Sequence, residues 1–237
     1  MARQTDLFQA GLAEARAAFA AVPLGAGERR RRGVHDVEAL AEAEILERLL
    51  ARTRPATAAS LADALLVRFG GIGRVVGAPA ADLARIVGDE VADDLELLHV
   101  LLLRALEFPL RSRDVLSSWD AVKTYLCARL RACPREAVHV LFLDKKNQLI
   151  ADERLGEGTV DHAPVYPREV VRRALELSAS ALVLAHNHPS GDPTPSRADI
   201  DMTKQVVAAA QALQIAVHDH LIIGASQVVS LRAQGLM

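Results

Sequence analysis

"LVLAHNHPSGDPTPSRADID", residues 182–201, opens as an apolar run, places histidines at 186 and 188, and then passes through a loop crowded with proline and glycine. If residues 181–188 continue as a strand, alternation sends His186 and His188 to one side and Asn187 to the other. Two imidazoles then converge on one point. A helical pattern, "RADIDMTKQVVAAAQAL", follows the loop, and Asp199 in its first turn is the nearest carboxylate that a folded-back loop brings beside them. The spacing reads H-x-H-x7-S-x2-D through His186, His188, Ser196 and Asp199. Two histidines, one carboxylate and a water form the open tetrahedral arrangement of catalytic rather than structural zinc. Zinc makes such a water a usable nucleophile near neutral pH.

Plainer readings exist for each part. Ser196 and Asp199 also spell S-x-x-D, a capping box that starts a helix, and an isolated H-x-H can do no more than pack a turn. Taken together, the four positions favour the metal.

Working outward, the second half of the chain is mixed. "AVHVLFLD" and "QLIADERL" are short β-type runs joined by a turn at Asp144-Lys145-Lys146-Asn147. Pro167 opens a helix, "PREVVRRALELSA", where its missing N–H costs nothing. "IAVHD", "HLIIG" and "QVVSL" read as further strand pieces after the last helix. Before Pro109 the pattern is helical throughout, in "VEALAEAEILERLLAR", "ASLADALLVRF", "AADLARIVG" and "VADDLELLHVLLLRAL", with Gly70 to Gly73 and Ala78-Pro79 as punctuation. Beyond Pro109, Ser117 and Ser118 offer caps for the helix "WDAVKTYLCARLRA". The chain thus divides into an all-helical part, residues 1–110, and an α/β part with a mixed sheet, residues 111–237.

The 237 residues are 51% hydrophobic, enough for one sizeable core and a smaller one. A net charge of −2 gives no overall reason to expect nucleic acid or a membrane surface. Cys127 and Cys133 match no zinc or disulfide framework and read as core residues, which points to a reducing cytoplasm. No segment has the pattern of a signal peptide or membrane span, so a soluble cytoplasmic protein is expected.

"VYPREVVRRALELSASALVLAHNHPSGDPTPSRADI", together with "DHLIIG" and "SLRAQG" near the end, resembles the RadC family, and H-x-H-x7-S-x2-D is the signature of the wider JAMM/MPN metalloprotease superfamily. The resemblance implies a JAMM/MPN domain of cytidine deaminase-like architecture acting on a protein or peptide. It implies a zinc site of His186, His188 and Asp199, with Ser196 stabilising the oxyanion and a glutamate at the start of the domain's first strand carrying protons. Glu136 holds that place, with Glu153, Glu157 and Glu169 as nearby competitors. Asp219-His220 also fits the pattern, and His220 either serves structure or orients a ligand. His35, His99, His139 and His162 have no partner at ligand spacing and receive no role.

The same resemblance implies a helix-hairpin-helix-like, DNA-binding start, labelled with DNA repair. At its place, "ADLARIVGDEVADDLELL" keeps one glycine of a Gly-apolar-Gly turn, Gly88, followed by Asp89, Glu90, Asp93 and Asp94. Four carboxylates there repel phosphate. The helical part is therefore expected to pack or contact protein rather than DNA, and Arg29 to Arg32 reads as a solvated arm.

Overall fold

A computed structural model of the chain describes residues 39–158 and 165–237. Arg29 to Arg32, His35 and His162 lie outside the described residues, as does the side chain of Glu157. Ala41–Met237 form one compact unit. No helix among the described residues is long and apolar enough to cross a membrane.

The first half is helical: α1 (Glu42–Leu50), α2 (Ala58–Phe69), α3 (Ile72–Val76), α4 (Ala80–Val87) and α5 (Asp89–Ser112). Leu46, Leu50, Leu65, Leu83, Val91 and Leu95 recur at helical spacing and close one core. Gly70, left-handed at φ 81°, ends α2, and the glycine punctuation shelters the short α3. Pro109 does not stop α5, which runs on to Ser112. A proline inside a helix costs about 3 kcal/mol. Here Leu110 is fully buried, and Arg111 binds both Glu107 and the Ile150 carbonyl, so the last turn is held by tertiary contacts.

A 3-10 turn (Val115–Ser118) then leads into α6 (Trp119–Leu130). Ser117 and Ser118 do not cap α6. Their hydroxyls bond back to the Asp114 carbonyl, and the Asp114 carboxylate caps the turn by accepting from Leu116 N.

The remaining elements are β1 (Ala137–Leu143), β2 (Leu149–Glu157), α7 (Pro167–Glu176), β3 (Ala181–Asn187), α8 (Arg197–Gln211), β4 (Ala216–Ile223) and β5 (Val228–Ser230). They give a mixed α/β fold with one sheet in the order β2-β1-β3-β4-β5, in which only the β3–β4 pair is parallel. All seven residues of β1 and of β3 are buried, because helices cover both faces. On one face α5 and α6 meet Leu141, Val183 and Leu221. On the other, α7 and α8 meet Val140, Phe142 and Leu184. Each such leucine or valine contributes about 1.5–3 kcal/mol by leaving water, and this double cover makes the end of β3 a rigid mount. Cys127 and Cys133 pack against the first of these cores, and neither is in a disulfide.

Candidate metal centre

His186 is the penultimate residue of β3 and fully buried, and His188 follows one residue past the strand end. The strand stops one residue short of the expected 188, but His188 N still bonds the β4 carbonyl of Ile223, so both imidazoles reach the α8 face. The loop after them folds back. His188 N donates to Ile223 O at 3.0 Å, and Ala225 N to Gly191 O at 2.9 Å. Gly191 has φ 87°, and a Cβ on Gly224 would stand 2.6 Å from Gly191 O, so both positions need glycine. Ser196 then caps α8: its Oγ accepts from Asp199 N at 3.1 Å, while Asp199 Oδ2 accepts from Ser196 N at 2.7 Å and Ser196 Oγ at 2.6 Å. The capping box and the metal-ligand spacing are thus the same residues. Oδ2 serves the cap, and Oδ1 faces His186.

The histidine tautomers follow from a chain of hydrogen bonds. Thr203 Oγ1 lies 2.5 Å from the Asp199 carbonyl and 2.6 Å from His220 Nδ1. A carbonyl only accepts, so the hydroxyl donates to it and must accept from His220 Nδ1–H. Complete burial, helped by repulsion from His186, holds His220 well below its ordinary pKa. A neutral His220 therefore offers Nε2 as an acceptor to His186 Nδ1, 2.8 Å away. His186 is neutral as well, since burial outweighs the pull of Asp199 and brings it down to about 4. Its Nε2 carries a lone pair. His188 is set separately: Nδ1 is 2.7 Å from the Asp192 carbonyl and must donate, which leaves Nε2 bare in the neutral ring.

Both bare nitrogens face each other at 2.9 Å. Asp199 Oδ1 is 3.4 Å from His186 Nε2, and Oδ2 is 3.6 Å from His188 Nε2. The candidate ligand atoms of the three residues all lie within 4.8 Å of one another. Burial pushes the Asp199 carboxyl up, but the nearby His188 ring, the neighbouring His186 and the two Ser196 donors more than reverse this and keep it ionised. Three acceptors without a donor among them require a cation. A metal ion meets that need, and so does a proton on His188, whose pKa is raised first by the Asp199 carboxylate beside it.

Glu136 is buried directly before β1. Val138 pairs with His186 across the antiparallel β1–β3 ladder, which sets Glu136 opposite His188, and its charge contributes to raising the His188 pKa. Asn187, on the other side of β3, grips the chain around it. Its Oδ1 accepts from Ala137 N at 2.9 Å, and its Nδ2 donates to Cys133 O and Arg135 O, each at 3.1 Å. Glu153 is engaged elsewhere, in a two-point pair with Arg173 at 2.6 and 2.7 Å. Glu169 pairs with Arg172 on the surface.

Of the Asp219-His220 pair, the histidine orients His186, whereas Asp219 accepts from Ser230 Oγ and Arg232 N and fixes the C-terminal segment. His139 also has a use that its spacing does not reveal. It meets buried Asp152 at 2.7 Å, on which Tyr125 and Arg129 also converge. Thr203 and Asn187 escape sequence reasoning because a threonine in a helix and an asparagine between histidines carry no metal signal. Only the H-x-H alternation, which sends Asn187 to the opposite side, marks its position.

A strand, a folded-back loop and a capped helix aim two imidazoles and a carboxylate at one point, which defines an α/β protein with a cluster that could hold a metal ion. Comparison with known families matches residues 116–236 to the RadC-like JAB domain. The match spans just over half of the 237 residues, and the chain belongs to that family.

Proposed function

We propose that the chain is a zinc-dependent hydrolase of the JAMM type that cleaves an amide or isopeptide bond in a protein or peptide. One observation carries the reading: ligand atoms of His186, His188 and Asp199 converge within 4.8 Å of one another in a partly buried site. The donor set fits zinc, with two neutral imidazoles and one carboxylate leaving a fourth position open. Zinc bound there would lower the pKa of a water into the neutral range. The residues of the chain do the rest. His220 and Thr203 hold His186 in the tautomer that presents Nε2. Glu136 takes the proton from the attacking water and returns it to the leaving amine. Ser196 orients Asp199 by donating its one hydroxyl hydrogen to Oδ2, and to stabilise the developing oxyanion it would turn that hydrogen from Asp199 to the substrate. Residues 111–237 would form this hydrolase unit, and residues 1–110 a packing or protein-contact module.

The test is metal analysis of the purified chain beside a peptidase and isopeptidase panel. About one zinc per chain is expected, lost in His186→Ala and in Asp199→Ala. Full zinc occupancy in both variants would refute the ligand set, and zinc without hydrolysis of any amide substrate would refute the reaction.

A further inference from the structure

We propose that a groove beside His188 is a carboxylate-binding subsite that seats an acidic group of the peptide chain presented to the metal centre; the inference rests on the hydrolase reading above. A cavity of about 250 Å³ opens along His188 and Gly191. Its other walls bring together Arg68 of α2, Arg74 of α3 and Arg131, the residue that ends α6. None of the three has a carboxylate partner among the described residues. Among the described residues, the one acidic side chain lining the cavity, Asp82, is already engaged by Arg85 at 3.1 Å.

Two of the arginines are oriented as well as gathered. Arg131 donates through Nε to the Gly224 carbonyl at 3.2 Å and through Nη2 to Cys127 Sγ at 3.1 Å, which fixes its plane and leaves its other N–H groups for a ligand. Arg68 lies over the Phe69 ring, 5.7 Å from its centre. A guanidinium is a planar fork that matches a carboxylate at two points. Three of them without counter-charges, in a space sized for one side chain or chain end and ending at a ligand histidine, select an anionic group close to the bond held at the metal. A nucleic-acid backbone would need a basic track extending well beyond such a pocket.

The experiment follows the arginine Nε–H signals of the full chain by NMR during titration with three acetylated Gly/Ala heptapeptides. One carries a central Glu and an amidated end, one a central Gln and an amidated end, and one a central Gln and a free terminal carboxylate. At least one acidic peptide is expected to bind about tenfold or more tighter than the neutral one, the scale of a charge-assisted hydrogen bond. It should move the Arg74 and Arg131 signals and lose its advantage in the exposed double variant Arg68→Ala/Arg74→Ala. Which of the two acidic peptides gains tells a side-chain carboxylate from a terminal one. Equal binding of all three overturns the proposal, as does an advantage that survives the double variant. So does an oligo-dT probe that moves the same signals at lower concentration than either acidic peptide. Because binding is read without turnover, an acidic peptide that binds and is never cleaved refutes only the hydrolase. Equal cleavage of acidic and neutral peptides, with equal binding, refutes only the subsite.

Discussion

Thr203 has one hydroxyl hydrogen, and its direction sets the protonation of two histidines in turn. Thr203→Val keeps the shape and removes both hydrogen bonds, so His220 loses the partner that makes Nε2 its acceptor. Metal affinity, read by competition with a chelator, is expected to fall about 10- to 100-fold, the scale for partners that orient a ligand. Thr203→Ser should restore it, and wild-type affinity in the valine variant would show that His186 is ordered by other means. At the same scale, the proposed role of Glu136 concerns the proton and not the metal. Glu136→Gln is expected to keep full metal content while turnover drops about 100-fold, the size of a general acid-base contribution. Glu153→Gln should break the Arg173 pair and leave turnover intact; the reverse result would give Glu153 the proton-carrying role.

Between elements, the buried Asp152 joins α6 to β1 and β2 by accepting from Tyr125 at 2.6 Å and meeting His139 at 2.7 Å. Burial raises its pKa, but the His139 and Tyr125 bonds and the Arg129 charge outweigh that and leave it below the ordinary carboxylate value. A carboxyl depressed in the folded state stabilises fully above its unfolded value and loses that contribution as pH falls through the folded one. Asp152→Asn should therefore lower stability by about 1–3 kcal/mol at neutral pH and flatten the decline of thermal midpoint in acid. An acid limb parallel to that of the wild type would place the pH sensitivity on other carboxylates. The seam also shows why Pro109 is tolerated. Contacts of Leu110 and Arg111 to the sheet side hold the final turn that helix propensity alone would give up.

Over the whole molecule, the placement of charge argues against a nucleic-acid partner. Asp89, Glu90, Asp93 and Asp94 occupy the first two turns of α5, where the helix dipole favours carboxylates, and Gly88 at φ 84° is the only glycine of that turn. A phosphate would meet negative charge where it needs bare N–H groups. The full chain is thus expected to bind duplex DNA no better than a neutral control at physiological salt. Any binding at low salt should fall steeply as salt rises and vanish when Arg29 to Arg32 become alanine. A salt titration of both proteins checks this, and tight binding that persists through both changes would make the helical part a DNA-binding module after all.

What the sequence determined alone is what short-range geometry encodes. Strand alternation puts His186 and His188 on one side, the S-x-x-D cap brings Asp199 into the first turn, and a Pro-Gly loop connects them, all within one strand–loop–helix segment. Helical and strand periods likewise marked most elements, and Gly70 and Gly71 do end a helix, although Pro109 pointed to a break where burial kept helix. Tertiary structure decided the partners from farther along the chain. Register across β1 and β3 brings Glu136 opposite His188, and Asn187 clamps it from the other side. In β4 a register shift lies between the pairs Leu182↔Val217 and Val183↔Asp219, leaving His218 unpaired and turning His220 to the site. An unbroken period of two would have sent His220 to the face opposite Val217. Local dihedral preferences fix a period, but register depends on burial summed over the whole sheet, and no single stretch of sequence contains that sum.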